Sequence, residues 1–245
     1  MCTASGMFAY AEGGATASGA GSHAEGRATA SGDMSHAEGA ATASGIGSHA
    51  EGYETTASGT GSHAEGDDTI ASGHNSHAEG YDTTASGECS HAEGYGATAS
   101  GKTSHAEGDY TTASGFISHA EGAGTIASGE YSHAEGNNTI ASGPTSHAEG
   151  TYNVEDIHAI HSVGIGTDVQ KNAEYIYAKS STDNTSIVDD PKNGYKYLIG
   201  VGGYDGISTD ISKYKSVQEV IADLTSRIEQ LETKVRALEA ANAPA

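Results

Sequence analysis

The sequence predicts a mainly β protein whose first 150 residues form a thin parallel solenoid, because one short motif recurs throughout that segment. The motif SHAEG repeats at steps of 13 and then 14 residues, and T/I-A-S-G lies between successive copies. Both motifs fit one seven-residue pattern in which Ala and Gly keep their places. Glycine at this spacing costs a helix about 1 kcal/mol each relative to alanine, so each unit is expected to be a short strand and a turn. Fourteen residues then make one coil with two strands and two turns.

Composition excludes an ordinary globular core. The 245 residues include 35 Gly, 2 Phe and no Trp, and 33 acidic against 11 basic residues give a formal charge of −22. Nucleic acid is not expected as a partner, because affinity for it rests on Lys and Arg that neutralise phosphates. The chain has no run of 18 apolar residues and no signal-like N-terminus, so membrane insertion by this chain is not expected. Cys2 and Cys89 lie about six coils apart and are expected to stay free.

Side chains alternate across a strand, which divides each SHAEG motif into an inner and an outer set. Ser22 and Ala24 are predicted to point inward, and His23 and Glu25 outward. Such an interior buries little apolar surface. The free energy gained from this burial is therefore not expected to offset the loss of backbone entropy on folding, which costs about 1–2 kcal/mol per residue. A lone chain should therefore be marginal, and self-association that buries an outer face is expected. Stacking of the coils should arrange the outer residues in columns of alternating base and acid.

Over about residues 3–150 the repeats resemble the YadA-like (Hep_Hag) head repeats of trimeric autotransporter adhesins, whose unit is similar to S-x-A-x-G-x-x-S. The resemblance implies a left-handed parallel β-roll of 14-residue coils, with three chains side by side about a threefold axis. It also implies that the outer residues of SHAEG face this axis, where polar pairs replace the family's Val and Ile. Hydrogen bonds from His to Glu between chains are one expectation, and the alternative is that the opposite strand faces inward. The glutamates predicted at this trimer interface are Glu25, Glu38, Glu51 and Glu65.

The repeated histidines are candidates for chemistry as well as for structure. Three of them about an axis could bind a metal ion or an anion, although an interface network is the preferred interpretation. A Ser–His–Glu hydrolase is excluded, because adjacent Ser and His point to opposite faces and ten copies indicate a structural repeat. No cofactor is expected. The candidate axial metal sites are His23, His36, His49, His63, His77, His91, His105, His119, His133 and His147.

A second candidate site lies in the turns. Tyr53, Tyr81 and Tyr95 share the position after Gly, so stacking should align them in a column that includes Asp67. Exposed aromatic rings in a strip are a candidate contact for a sugar or a protein. The alternative is that these solvated turns only pack on one another.

After residue 150 the period stops and the composition changes. Residues 151–213 are predicted to form a small β neck or tip with strands at 173–177 and 195–199. In residues 214–241, apolar residues spaced four and three apart predict a coiled coil, and 242–245 form a tail. β-branched residues at a and Leu at d favour a dimer, but an Arg-apolar-x-x-apolar-Glu pattern favours three strands, which is the preferred prediction. The interface residues predicted here are Ile221, Leu224, Arg227, Ile228, Leu231, Glu232, Val235 and Leu238.

These observations predict a non-enzymatic homotrimeric fibre that attaches to a receptor, a glycan or a protein, on a cell surface. The segments at 200–206 and 216–221 are similar to the termini of phage and prophage tail proteins, and the membrane anchor and secretion signal of an adhesin are not found in this chain. The first expectation is therefore the distal part of a virion tail fibre, and the second is a head-and-neck fragment of a bacterial trimeric autotransporter adhesin at the cell surface. A polysaccharide-cleaving fibre enzyme is the alternative from another class. Its candidate acids, which are interpreted as solvated loop residues, are Glu155, Asp156, Asp189 and Asp190.

Overall fold

A computed structural model describes residues 2–153, 160–165, 172–180 and 195–203, together with helical residues 225, 226, 228–231, 234 and 236. The repeat segment is a parallel β-solenoid of about 11 turns with 14-residue spacing. This confirms the predicted solenoid. Its handedness and its assembly from three chains stay predictions.

Each coil contributes two strands, and each strand pairs in parallel with its counterpart one coil away. The first strand of the coil is β2 (Tyr10–Ala11), β4 (His23–Ala24), β8 (His63–Asp67), β10 (His77–Tyr81), β12 (His91–Tyr95), β14 (His105–Asp109), β16 (His119–Ala123), β18 (His133–Asn137) and β20 (His147–Thr151). The second is β1 (Thr3–Ala4), β3 (Thr16–Ala17), β5 (Thr29–Ala30), β9 (Ile70–Ala71), β11 (Thr84–Ala85), β13 (Thr98–Ala99), β15 (Thr112–Ala113), β17 (Ile126–Ala127) and β19 (Ile140–Ala141). The two strands are continuous in β6 (His36–Ala43) and β7 (His49–Ala57).

Backbone hydrogen bonds connect each coil to the next on the strands and at the turns. The Thr84 N–H donates to the Ala97 carbonyl oxygen at 2.8 Å, and the His77 N–H donates to the Ser90 carbonyl oxygen at 2.9 Å. At a turn, the Cys89 N–H donates to the His74 carbonyl oxygen at 2.8 Å. The ladder therefore runs along several sides of the coil and satisfies backbone groups that the thin interior could not.

The interior consists of very small side chains, as the alternation predicts. Every buried apolar side chain in the described part of the chain belongs to alanine. Ser at the start of each motif is buried too, and Ser76 Oγ donates a hydrogen bond to the Gly73 carbonyl oxygen at 2.8 Å. Among the described residues, the largest fully buried side chains are Asn153, Thr55, Thr69, Thr83, Thr111, Thr125 and Thr139. Both cysteines are free and exposed, as expected.

Glycine at the end of T/I-A-S-G permits the coils to approach closely. A Cβ atom added to Gly87 would lie 2.0 Å from the carbonyl oxygen of Gly101 in the next coil. Real Cβ atoms essentially never make a contact this short. The clashing atom belongs to the backbone, so no change of side-chain rotamer can relieve the clash. The recurrence of glycine at this place in each coil is thus a consequence of the packing distance between coils.

The change from 13 to 14 residues per coil occurs in one turn. Ala40 lies opposite Tyr53 and Thr42 opposite Thr56, so two residues of the longer coil replace the single Ala41. Glu54 takes the left-handed conformation, with φ of 54°, and stays exposed, while the residue after it is buried. The added residue therefore bulges outward without changing the stack.

One more strand of the stack lies beyond residue 150, where the period was expected to stop. β21 (His161–Ile165) pairs in parallel with β20, with His161 opposite His147, so the 14-residue spacing continues once more. The buried Asn153 side chain bonds to the backbone of the second strand, since its Oδ1 accepts from the Ile140 N–H at 2.7 Å and its Nδ2 donates to the Ile140 carbonyl oxygen at 2.9 Å. This side chain supplies the hydrogen bonds that a neighbouring strand supplies elsewhere.

An antiparallel pair follows the solenoid. β22 (Asn172–Ser180) pairs with β21 and with β23 (Tyr195–Gly203), which confirms both strands predicted between residues 151 and 213. The domain boundaries themselves stay predictions. The acids proposed for an enzyme, at 155, 156, 189 and 190, lie outside the described residues.

The described residues between 225 and 236 are helical. Of the predicted coiled-coil interface, Ile228 and Leu231 lie on this helix and are 56% and 60% exposed in the single chain. Pairing with other helices stays a prediction. Among the described residues, no helix has the length and apolar character that crossing a membrane requires. The predicted interface residues outside the described ones are Ile221, Leu224, Arg227, Glu232, Val235 and Leu238.

The substitution Gly87→Ala should destabilise the protein by about 3 kcal/mol or more, because the new methyl group meets backbone of the next coil. Thermal unfolding followed by circular dichroism measures this loss. Gly14→Ala is the matched control, since its Cβ would lie 3.5 Å from the nearest atom, an ordinary contact. Equal unfolding temperatures for the two variants would contradict the close stacking of coils.

Candidate functional site

The most regular surface of the solenoid is a stack of imidazole rings, called here the His column. Neighbouring rings lie 4.7–5.1 Å apart between centroids and are parallel to within 7°. The Tyr10 ring meets the first imidazole edge-on at 5.0 Å. Within the described residues, the His column consists of His23, His36, His49, His63, His77, His91, His105, His119, His133, His147 and His161.

A parallel column of glutamates, the Glu column, lies beside the His column. It arises because each Glu follows its His by two residues on the same strand and therefore points to the same face. In-register pairing places Glu79 opposite Glu93 and His77 opposite His91. The predicted alternation of base and acid within one column is therefore wrong, since identical residues stack and base faces acid only across the two columns. The Glu column in the described chain is Glu25, Glu38, Glu51, Glu65, Glu79, Glu93, Glu107, Glu121, Glu135 and Glu149.

The two columns approach each other through imidazole Nε2 and carboxylate oxygen. The separation is 2.9 Å between His23 and Glu25, and 3.4–3.9 Å in the following coils to His105. Toward the C-terminal end the partner changes to the Glu of the preceding coil, as with His133 and Glu121 at 3.2 Å. The imidazole side chains that approach a glutamate remain 31–38% exposed in the single chain.

Many imidazole Nε2 atoms are buried but have no aligned hydrogen-bond partner, even where a carboxylate oxygen is near. An unsatisfied polar atom of this kind costs free energy. A proton relay, a partner group or a bound ion would each relieve that cost. In the described part of the chain these atoms belong to His23, His36, His49, His63, His77, His91, His105 and His119.

Carboxyl groups of the Glu column share protons with their neighbours. A hydrogen bond to Glu79, together with burial, raises the pKa of Glu93 to about 7. The hydrogen bond from Glu93 in turn lowers the pKa of Glu79. The same relation holds one step along, where the pKa of Glu107 is lowered and that of Glu121 is raised by their shared hydrogen bond. Lowered and raised carboxyl pKa values thus alternate from Glu79 to Glu121, because each ionised carboxylate opposes ionisation of its neighbour one coil away.

The central imidazoles resist protonation. Burial is the main cause that lowers the pKa values of His36, His77, His91, His105 and His119, and the adjacent imidazoles add to it. Neutral rings can stack at this distance, whereas imidazolium ions would repel. The lowered pKa therefore favours the neutral form of these five imidazoles, each of which then has one N–H and one lone pair.

The predicted tyrosine column forms at the turn after the first strand. Tyr53, Asp67, Tyr81 and Tyr95 lie opposite one another in successive coils. The Tyr81 and Tyr95 rings are parallel at 5.1 Å, and Tyr110 meets Tyr95 edge-on at 5.0 Å. A hydrogen bond with Tyr95 raises the pKa of Tyr110 to about 12. The three predicted tyrosines are 44–56% exposed; Tyr81 and Tyr95 stack on each other, and Asp67 separates them from Tyr53.

The structure gathers every histidine and glutamate predicted for the roll onto one face, but whether that face meets a threefold axis stays a prediction. Sequence reasoning missed His161, which extends the His column, and Asn153, which bonds the end of the second-strand stack. His161 follows His147 by 14 residues, so the unbroken spacing was a usable signal. A search for the full motif does not find His161, because Ser162 and Val163 replace the Ala and Glu that follow His in SHAEG.

The domain therefore belongs to the class of β-solenoid repeat domains, with short coils and an alanine interior. The model of the YadA head domain repeat matches residues 64–87, 92–116, 120–146 and 134–152. Residues 64–152 therefore carry YadA-like head repeats, which confirms the resemblance over this part of the roll. The YadA head is an adhesin domain and not an enzyme family. A comparison with curated proteins finds no match.

Proton NMR titration of metal-free protein should place the midpoints of His77, His91, His105 and His119 below 6.5, because burial and neighbouring rings oppose the charge. The unfolded chain then binds protons more readily than the folded one, so the histidine contribution to stability is present above pH 6.5 and is lost as pH falls through the lowered values. His74, in an exposed turn outside the column, gives an internal reference signal. Midpoints at or above 6.5 for all four would contradict the stacked, half-buried column.

Proposed function

We propose that the chain is the head of a homotrimeric attachment fibre of the adhesin type, which acts at a cell surface without catalysis. The observation that carries this proposal is the match of residues 64–152 to the YadA head repeat. YadA-like adhesin domains are extracellular and lie at the cell surface. The head would hold a receptor-binding surface away from the cell on a rigid, elongated domain.

The packing of the single chain supports assembly with further copies. Its interior offers only alanine methyl groups and small polar side chains, so most of the area that can be buried lies on the outside. Repeat domains of this kind gain stability from interfaces between neighbouring units. Three chains that bury one outer face each would supply what the interior lacks.

Two outer faces compete for the threefold axis. The face of the His and Glu columns is half-buried already and carries groups that could bond between chains. The face of the second strand carries β-branched residues, among them Ile70, which is 42% exposed. The His and Glu face is favoured, because its unpartnered buried Nε2 atoms would gain partners from a second chain.

The comparison changes the order of the two attachment hypotheses. The YadA head repeats support an adhesin head, whereas the phage or prophage tail fibre rests on the similarity of residues 200–206 and 216–221. The first four of these residues belong to β23. The adhesin head is therefore the preferred function, and the tail fibre is the second candidate.

Light scattering on the purified full chain should give a mass of about three times 24.6 kDa. A trimer is expected because each chain needs to bury an outer face. A matched test of the interface is His105→Asp, which adds a charge to the His column, against His74→Asp in an exposed turn. The first should shift the mass toward the monomer at low concentration and the second should not. A stable monomer of the unaltered chain would overturn the trimer.

Beads coated with the full chain should adhere either to wells coated with extracellular matrix proteins or to fixed bacterial cells. Matrix binding is expected for an adhesin head, and binding to bacterial cells alone would favour the tail fibre. Replacing Tyr53, Tyr81 and Tyr95 together by Ser should reduce adhesion about tenfold if the tyrosine column is the contact surface. Tyr131→Ser, an exposed tyrosine outside this column, is the control. Adhesion to neither surface would reject the attachment function.

A further inference from the structure

We infer that the face formed by the His and Glu columns binds a row of divalent transition-metal ions, for which Zn²⁺ is the best fit. The ligands come in groups of three from neighbouring coils, two histidines with one glutamate or one histidine with two glutamates. Within each group the ligand atoms all lie within 4.8 Å of one another. Five of the six groups are His23–Glu25–His36, His63–Glu65–His77, Glu79–His91–Glu93, His105–Glu107–His119 and Glu121–His133–Glu135.

The distances between ligand atoms suit a four-coordinate ion. Zn²⁺ binds imidazole nitrogen and carboxylate oxygen at about 2.0–2.2 Å, so two of its tetrahedral ligands lie about 3.3 Å apart. His63 Nε2 lies 3.5 Å from the Glu65 carboxylate, and His133 Nε2 lies 3.2 Å from that of Glu121. The spacing between an imidazole and its glutamate is therefore close to that of a metal's coordination shell. In the groups with two histidines the stacked rings lie 4.7–4.8 Å apart, so the two imidazoles must also tilt toward each other to reach one ion.

The buried nitrogen atoms give a second and independent reason for a ligand at this face. In the His63 group and the His105 group, each imidazole has a buried Nε2 without an aligned hydrogen-bond partner. In three of these four imidazoles, those of His63, His77 and His105, Nε2 lies 3.5–3.7 Å from a glutamate oxygen. A metal ion there would satisfy the nitrogen lone pair and the carboxylate together.

Charge and donor type limit the choice of ion. A group with one glutamate leaves a bound divalent ion with one excess positive charge, and a group with two glutamates neutralises it. Along residues 63–135 the two kinds of group alternate and share no ligand, which keeps the charge of the row low. Imidazole with carboxylate suits zinc, nickel and copper, whereas calcium and magnesium prefer oxygen ligands alone.

Each group lies within one chain, so metal binding does not require the trimer. Successive groups are displaced by about one and a half coils, or about 7 Å at the ring spacing of 4.8 Å. Adjacent ions can therefore each have their own coordination shell. An open fourth position in each shell is available to water or to a donor from another molecule.

The test is equilibrium dialysis of the full chain against Zn²⁺, with bound zinc measured by mass spectrometry and assembly state by light scattering on the same samples. The full chain should bind about six zinc ions, four of them along residues 63–135. The double variant His91→Gln/Glu93→Gln removes two ligands of one group and should bind about one ion fewer, and Glu93→Gln alone should weaken that site. His74→Gln is the matched control, because this exposed histidine lies outside the column.

Zinc binding that falls in the double variant but not in His74→Gln supports the row of sites. No bound zinc in the unaltered chain, or equal zinc in the double variant and the control, overturns it. Circular dichroism shows whether the double variant has kept its sheet, and Glu93→Gln gives the same comparison if it has not. Light scattering separates this result from the proposed trimer, since zinc can be bound or absent whichever mass is found.

Discussion

The close, in-register stacking of identical coils is the constraint on which the rest of this structure depends. Strand backbones one coil apart bond through aligned N–H and carbonyl groups, and at Gly87 the approach leaves no room for a Cβ atom. Only a residue without a side chain fits that position, and only very small side chains fit the interior. The same small residues therefore recur in each of about 11 turns, because each turn approaches the next at the same distance.

In-register stacking also determines the electrostatics of the surface. Because each side chain lies over its own copy, histidine stacks on histidine and glutamate on glutamate instead of opposite charges meeting along a column. The molecule limits the resulting repulsion in two ways. The central imidazoles stay neutral, and the carboxyls share protons in pairs such as Glu79 with Glu93. A bound cation would reduce the same repulsion directly, so the charge pattern and the proposed metal sites have one origin.

Much of this fold could be predicted from period and alternation alone. The motif spacing correctly predicted the parallel coils, and alternation correctly placed Ser22 and Ala24 inside and His23 outside. Alternation could not give the composition of the columns, since that depends on register between coils and not on the order of residues within a strand. The added strand at His161 was missed because the spacing persisted while the surrounding motif changed. Handedness and the number of chains depend on contacts that a repeat pattern does not specify.

The thin interior links length, stability and function in this architecture. Each coil contacts its neighbours only, so adding a coil extends the domain by one ring spacing and repeats every outer residue once more. A receptor or an ion that binds one coil weakly therefore meets the same groups again at the next coil, and several weak contacts act together. Variation occurs at exposed positions after the glycine of SHAEG, where Tyr53 lies opposite Asp67. The number of repeats sets the length of the solenoid, and residues at the variable positions can change without altering the stack.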